Sequence, residues 1–323
     1  MSTFSDSGFE EDLQSPSPAK LFTAPRTGEL NERLTADCHE MNYDESCFII
    51  QKNNEKKFLA VNCLACQPQI TAEARCKLVS WLIAVYKHFS LSFESCCLAV
   101  NIMDRFLVTT SVAADCFQLL GVTSLLIATK HVEVCSPRIK QLLSLCCNSF
   151  SREQLCNLEC LILVRLNFRL AAPTLAFFLD YFINRELSWH RVSEEDAKII
   201  RVHEGKKCKG WKPTEDQLST MKKYKCFARK VCELSLADYA FNKYQPSVIV
   251  QSTINLTKDL FRRQLKQSSL EHSSFLEILD LLSIGDQRSS GSDTQSLIQQ
   301  CTEELRLLVS LNQESIQDLL VMV

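Results

Sequence analysis

Apolar residues recur along most of the chain at the spacing of a helix, and the breaks between these stretches carry capping residues. Thr71 precedes a first turn holding Glu73, and Leu78, Trp81, Leu82, Val85 and Phe89 then share one face, which predicts a first helix. Ser92 opens a second through Leu98, Ile102, Phe106 and Leu107, and a third covers roughly 113–132. Ser136-Pro137 reads as a cap with proline in the first helical position, starting a fourth helix that ends near Cys147. Ser151-Arg-Glu-Gln154 reads as a capping box for a fifth, ending near Leu166. The third helix is expected at the centre, with small residues Ala114, Gly121, Ser124 and Ala128 facing inward beside Phe117, Leu120 and Leu125. A glycine inside a helix costs ~1 kcal/mol relative to alanine, so Gly121 points to a close helix crossing.

The pattern then repeats. After the break at Ala172-Pro173-Thr174, Leu175, Phe178, Leu179 and Phe182 begin a second helical series. It pauses over 188–213, where Arg201, Lys206, Lys207, Lys209 and Lys212 face a single acid, Glu204. Helical spacing returns over 215–236 and from Val248 to Phe261, weakens over 275–282, and closes near 295–311 after a Ser/Gly loop at 283–293. Ahead of all this, residues 1–34 are Ser-, Pro- and acid-rich with little to bury, and read as a disordered tail. A short amphipathic helix is expected within 37–52, around Met41, Cys47, Phe48 and Ile49. The predicted fold is all-α: two tandem five-helix bundles behind a disordered N-terminal tail. The expected boundaries are 1–34, 35–66, 67–170 and 171–323, with a basic insertion at 188–213.

Composition narrows the function classes. Only 7 of 323 residues are Gly, against an average near 7%. That leaves no place for a glycine-rich phosphate cradle or for a many-stranded sandwich. Net charge is −2, which argues against nucleic acid and membrane surfaces as partners. No apolar run reaches the ~18 residues of a membrane span, and the first residues lack a signal-peptide pattern. The 17 Cys, with adjacent pairs Cys96-Cys97 and Cys146-Cys147 inside helical patterns, suit a reducing compartment, the cytoplasm or nucleus. Cys63-x-x-Cys66 has no second pair or His at ligand spacing, so neither a metal nor a cofactor is expected. No obligate homo-oligomer is expected.

Several stretches resemble the cyclin family. Ala74-Arg-Cys-Lys-Leu-Val-Ser-Trp-Leu82 is similar to the opening helix of the cyclin box, and Leu98-Ala-Val-Asn-Ile-Met-Asp-Arg-Phe-Leu107 to its second. Gln118 through Lys130 resembles the third, Leu158-Glu-Cys160 part of the fifth, and Leu170-Ala-Ala-Pro-Thr174 the bridge to a second cyclin fold. Leu234-Ser-Leu-Ala-Asp-Tyr239 resembles that fold's second helix, so the likeness spans about 40–320. The family implies a non-catalytic subunit that binds and activates a cyclin-dependent serine/threonine kinase. Ser92-Phe-Glu-Ser95, 112–128 and 233–241 resemble one branch of the family, which implies a role in multiciliated-cell differentiation through centriole amplification.

The resemblance assigns residues. Arg75 and Asp104 match a structural pair that joins the first two helices; a guanidinium and a carboxylate can satisfy each other where neither could be buried alone. Lys130 and Glu159 match polar contacts to the kinase, with Ile127, Leu163, Phe168 and Leu170 as apolar neighbours. Spacing alone favours reading Lys130 and Glu159 as a solvated ion pair worth ~0–1 kcal/mol, and the motif match reverses that. His131 replaces the aromatic residue usual after this lysine, and Val132 replaces an acid. Leu78, Trp81 and Gln118 match a groove for Arg-x-Leu peptides, but Ala74 and Lys77 replace larger apolar residues and Ser80 an acid. An added cation there repels a basic peptide. Ser15-Pro16 and Ser17-Pro-Ala-Lys20 are proline-directed phosphorylation motifs or ordinary Ser/Pro-rich disorder. The 201–212 stretch is an insertion loop or a nuclear-localisation or nucleic-acid patch. Two competing functions stay open: a uracil-DNA glycosylase-type repair enzyme, which needs a water-activating carboxylate beside a base pocket, and a helical scaffold without kinase activation.

Overall fold

The computed structural model describes residues 45–184, 215–267, 292–313 and 316, and every regular element among them is helical. Helix α1 is Glu45–Glu55, followed by a 3-10 turn at Lys56–Phe58. Then come α2 (Ala72–His88), α3 (Phe93–Thr109), a 3-10 turn at Ala114–Cys116, α4 (Phe117–Val132), α5 (Ile139–Leu145) and α6 (Arg152–Arg165). Residues 175–184 form α7. The second bundle continues with α8 (Glu215–Ala237), a 3-10 turn at Tyr239–Lys243, α9 (Pro246–Gln267) and α10 (Ser292–Leu311). The expected tail over 1–34 with Ser15 and Ser17, the basic stretch 188–213 and the weak pattern over 275–282 lie outside the described residues.

The helix starts follow from local caps. Thr71 Oγ1 accepts from the Ala74 amide at 3.1 Å, and Ser92 Oγ from the Ser95 amide at 3.2 Å. Ser151 Oγ accepts from the Gln154 amide at 3.1 Å, while Gln154 Oε1 accepts from the Ser151 amide at 2.7 Å. Two expectations are corrected. Helix α5 starts at Ile139 behind Arg138, whose amide donates to Gln141 Oε1 at 2.9 Å. Ser136 does not cap it, because its hydroxyl lies 2.8 Å from Thr129 Oγ1 at the end of α4. Ala114 is exposed rather than inward, since the chain there is a 3-10 turn whose Ala114 amide donates to Gln69 Oε1 at 3.0 Å.

Helix α4 is the centre of the first bundle. It packs against α2, α3, α5 and α6, and from Phe117 to Thr129 every residue but Gln118 is buried. A Cβ on Gly121 would sit 3.0 Å from Leu78 Cδ1, the close crossing with α2 that its glycine implies. In the second bundle α8, α9 and α10 pack on one another around Phe227, Val231, Val250, Phe261 and Leu305. The two bundles meet where α2 lies on α8.

Helix α1 precedes the first bundle in sequence but docks on the second. Phe48 stacks on Tyr181 at 4.3 Å and meets Phe178 and Phe182 edge-on. At its far end Glu55, only 1% exposed, accepts the Ser247 amide at 3.0 Å and the Ser247 hydroxyl at 2.7 Å in the first turn of α9. Burial raises the Glu55 carboxyl above its usual range despite these bonds. No helix among the described residues is long and apolar enough to cross a membrane, and no cluster of three or more metal-ligating side chains occurs among them.

Candidate functional site

Two ion pairs tie helices of the first bundle together, and they differ in what surrounds them. Arg75 on α2 holds Asp104 on α3 with both prongs of its fork, Nε to Oδ1 at 2.8 Å and Nη2 to Oδ2 at 2.7 Å. Arg75 Nη1 donates to the carbonyls of Leu236 and Ala237 at 3.2 Å each, at the end of α8. Asn242 closes the network, accepting from Arg75 Nη2 at 3.1 Å and donating to Asp104 Oδ2 at 3.2 Å. Cys63 Sγ, fully buried, lies 3.6 Å from Asp104 Oδ1, and burial pushes its thiol up to about 12. Cys63 is therefore a hydrogen-bonding part of the core, while Cys66 is exposed. The pair reaches further than the first two helices: it anchors the second bundle to the first.

Lys130, in the last turn of α4, places Nζ 2.6 Å from Glu159 Oε1 on α6. This pair is open to water on its Lys130 side, with side chains 48% and 15% exposed. An ammonium has three donors and a carboxylate two oxygens, so one mutual bond leaves both with unused capacity. Farther along the chain, α6 is followed by two left-handed residues, Asn167 (φ 52°) and Phe168 (φ 54°). Asn tolerates that region, whereas a bulky Phe is rare there. The Phe168 amide donates to the Leu163 carbonyl at 2.9 Å, closing the helix end with Phe168 67% exposed. Leu163 and Leu170 are half-buried alongside, and His131 is exposed next to Lys130.

One expected member of this face is corrected. Ile127 is 3% exposed and packs into the core around α4, because α4 is enclosed on all sides until Lys130. Glu133, one place beyond Val132, is also spent inside the fold. Its Oε1 accepts from the Ser92 amide at 2.8 Å, Ser92 Oγ at 2.7 Å and Ser95 Oγ at 2.6 Å. Burial opposes its charge, but these bonds outweigh it and hold the carboxyl below its usual range.

Of the three residues expected in the peptide groove, Leu78 is nearly buried against Gly121, and Trp81 and Gln118 are half-buried. Lys77 stands at the surface, paired with Glu73 at 2.6 Å. Sequence reasoning missed Asn242, and it missed Glu233, which accepts from the Tyr86 hydroxyl and pairs with Lys87 Nζ at 2.6 Å across the α2–α8 contact. Both lie more than a hundred residues from their partners, where no local pattern points to them.

Comparison with known proteins decides what this arrangement belongs to. The description of the cyclin N-terminal domain matches residues 45–171, and that of the cyclin C-terminal domain matches 207–315. Cyclin-O protein B of Xenopus laevis is 45% identical over 322 residues, covering 98% of this chain and 77% of that protein. The chain belongs to the cyclin family. Human cyclin-O is 44% identical over 279 residues, 86% of this cyclin and 67% of the human protein. Among solved structures, a viral cyclin from herpesvirus saimiri shares the fold with a TM-score of 0.52 at 18% identity, covering 81% of this chain and 99% of that one. Cyclins are generally non-catalytic regulatory proteins, and the two bundles here are the two cyclin folds.

Proposed function

We propose that this cyclin binds and activates a cyclin-dependent serine/threonine kinase through the face around Lys130 and Glu159. The observation that carries the reading is a fixed but under-used ion pair on α6, the helix whose end leads into Phe168, a large apolar residue left exposed on left-handed backbone. Partner surfaces are built this way, with an apolar centre and a few placed polar groups. Lys130 can donate to a backbone carbonyl, and Glu159 can accept a backbone amide, at one point along a docked segment, since the two groups lie 2.6 Å apart. Together they fix the segment's register while Leu163, Phe168 and Leu170 supply apolar area. Activation is then a population shift: the cyclin favours the kinase conformation whose mobile helix fits this face.

The test is to mix the purified cyclin with a panel of purified cyclin-dependent kinases and to measure both binding and peptide phosphorylation. Binding with activation is expected for at least one kinase. Binding without activation overturns activation in favour of a scaffold, and no binding to any member overturns the reading altogether. The glycosylase alternative is the weaker reading: Glu94 lines a cavity, but its carboxyl is engaged by the Thr174 hydroxyl at the bridge between the folds. The buried acids Glu55, Asp104 and Glu233 are each committed to a structural partner.

We extend the reading to cell-cycle-related control of multiciliated-cell differentiation and centriole amplification, in the cytoplasm and nucleus. Its support is the similarity to the cyclin-O proteins. Depletion in a differentiating multiciliated epithelium should reduce centriole number per cell, and an unchanged count overturns this extension. Imaging of the tagged protein checks the compartments.

A further inference from the structure

Arg105 and Arg169 form a second charged feature on the first bundle, and it has no counter-charge among the described residues. Arg105 lies on α3, its guanidinium 4.8 Å from the centre of the Phe58 ring, and its Nη1 donates to the Arg169 carbonyl at 2.8 Å. That is the single hydrogen bond this guanidinium makes among the described residues, although it carries five donors. No carboxylate pairs with Arg105 or Arg169 among the described residues. Burial and the neighbouring Arg169 charge both push Arg105 below the usual arginine value, and nothing pulls it back. The contrast with Arg75 is direct: there Asp104 outweighs the cost of burial. Two cations held together, one half-buried on an aromatic ring, are a receptor for an oxyanion, which relieves their repulsion and fills the free donors.

We infer that Arg105 and Arg169 receive an acidic side chain of the bound kinase. The inference rests on the kinase reading above, because Arg169 stands in the chain between Phe168 and Leu170. Whatever covers those two residues comes within reach of it. A carboxylate offers the two coplanar oxygens that a guanidinium fork matches. The pair therefore acts as a specificity element: kinases with an acid at this point are favoured, and those with a cation are rejected by charge repulsion.

The experiment uses the full chain and the purified cyclin-dependent kinase that gives the tightest complex in the panel. Affinity is measured at several salt concentrations for wild type, Arg169→Ala, Arg169→Asp and the double swap Lys130→Glu with Glu159→Lys. Arg169→Ala should weaken binding roughly tenfold and flatten its salt dependence, as for loss of one charge-assisted contact. Arg169→Asp should weaken it more, yet raise the melting temperature of the free chain by about 1–3 °C, because the introduced carboxylate would neutralise Arg105. That opposition between stability and binding is what a merely structural arginine cannot produce. Wild-type affinity and salt dependence in both Arg169 variants, with binding abolished by the swap, overturns the anion receptor and leaves the kinase face standing. Wild-type binding in all three variants overturns both.

Discussion

The Arg75–Asp104 and Lys130–Glu159 pairs invite comparison because each joins two helices of the same bundle across 29 residues of chain. Their side chains are 0% and 7% exposed in the first pair, and 48% and 15% in the second. The buried pair has every prong engaged, by Asp104, Asn242 and two carbonyls from the second bundle. The open pair has one bond and spare donors and acceptors. The same two charges thus serve opposite ends. A desolvated pair must be fully satisfied to be tolerated and then locks the fold, whereas a wet pair adds little stability and stays available to a partner.

The largest expected effect comes from breaking the buried side of the comparison. Arg75→Ala strands Asp104 and Asn242 and uncaps the end of α8, and it should cost ~3–5 kcal/mol in denaturant unfolding. A double-mutant cycle with Asp104→Ala should show strong coupling. Additive losses would mean the two side chains are held independently, and the contrast with the open pair would collapse.

Breaking the open side should do the reverse. Lys130→Glu with Glu159→Lys keeps the net charge and leaves the two side chains able to pair, so stability should stay within about 0.5 kcal/mol of wild type. Kinase binding should fall by several kcal/mol, because the donor and the acceptor offered to the docked segment exchange places and leave its polar groups unpaired. Loss of folding in this variant would place the pair with Arg75 and Asp104 as structure.

What was legible beforehand divides along the same line. Thr71, Ser92 and Ser151 are readable as caps because a cap answers to a backbone group three residues away. The central position of α4 is readable because helical residues on all its faces are apolar or small. Ser136 misleads because its hydroxyl is taken by Thr129 on another element, a bond no local rule anticipates. Ile127 misleads in the same manner: matching places it near Lys130, but only packing shows that α4 is still enclosed one turn earlier. The Glu55–Ser247 and Glu233–Lys87 ties span 192 and 146 residues, and only the folded chain brings them together.

A third tie on α2 sharpens the contrast from the apolar side. Where Arg75 joins α2 to α3 by charge, Leu78 joins it to α4 by filling the space above Gly121. Gly121→Leu should overpack that crossing and cost about 1–3 kcal/mol in thermal or chemical unfolding, since α4 has no free face to which it could shift. Unchanged stability would show that the α2–α4 crossing is looser than the 3.0 Å approach implies.

The smallest expected effect belongs to an acid that has neither kind of cation. Glu94, in the first turn of α3, accepts from the Thr174 hydroxyl at the bridge between the two folds and lines a cavity of about 310 Å³ with Gln51, Pro173, Phe177 and Asp180. Asp180 is itself paired with Lys225 at 3.2 Å, so no cation is left for Glu94 among the described residues. Burial raises its carboxyl to about 7, with the Asp180 charge adding to the rise and the Thr174 bond opposing it. The folded state therefore holds this proton more tightly than the unfolded chain, where the ordinary value is 4.5. The stabilisation is fully present below about 4.5 and is lost as the pH rises through about 7. Glu94→Gln keeps an acceptor for Thr174 and removes the titration. Between pH 5 and pH 8 the wild type should lose about 1–2 kcal/mol relative to this variant, a figure reduced from the full shift because Glu94 is partly exposed. Parallel stability curves for the two proteins across that window would mean the cavity is wet enough to solvate the charge. Glu94 would then stand with Glu159 as an open acid, and Asp104 would remain the buried one that needs its arginine.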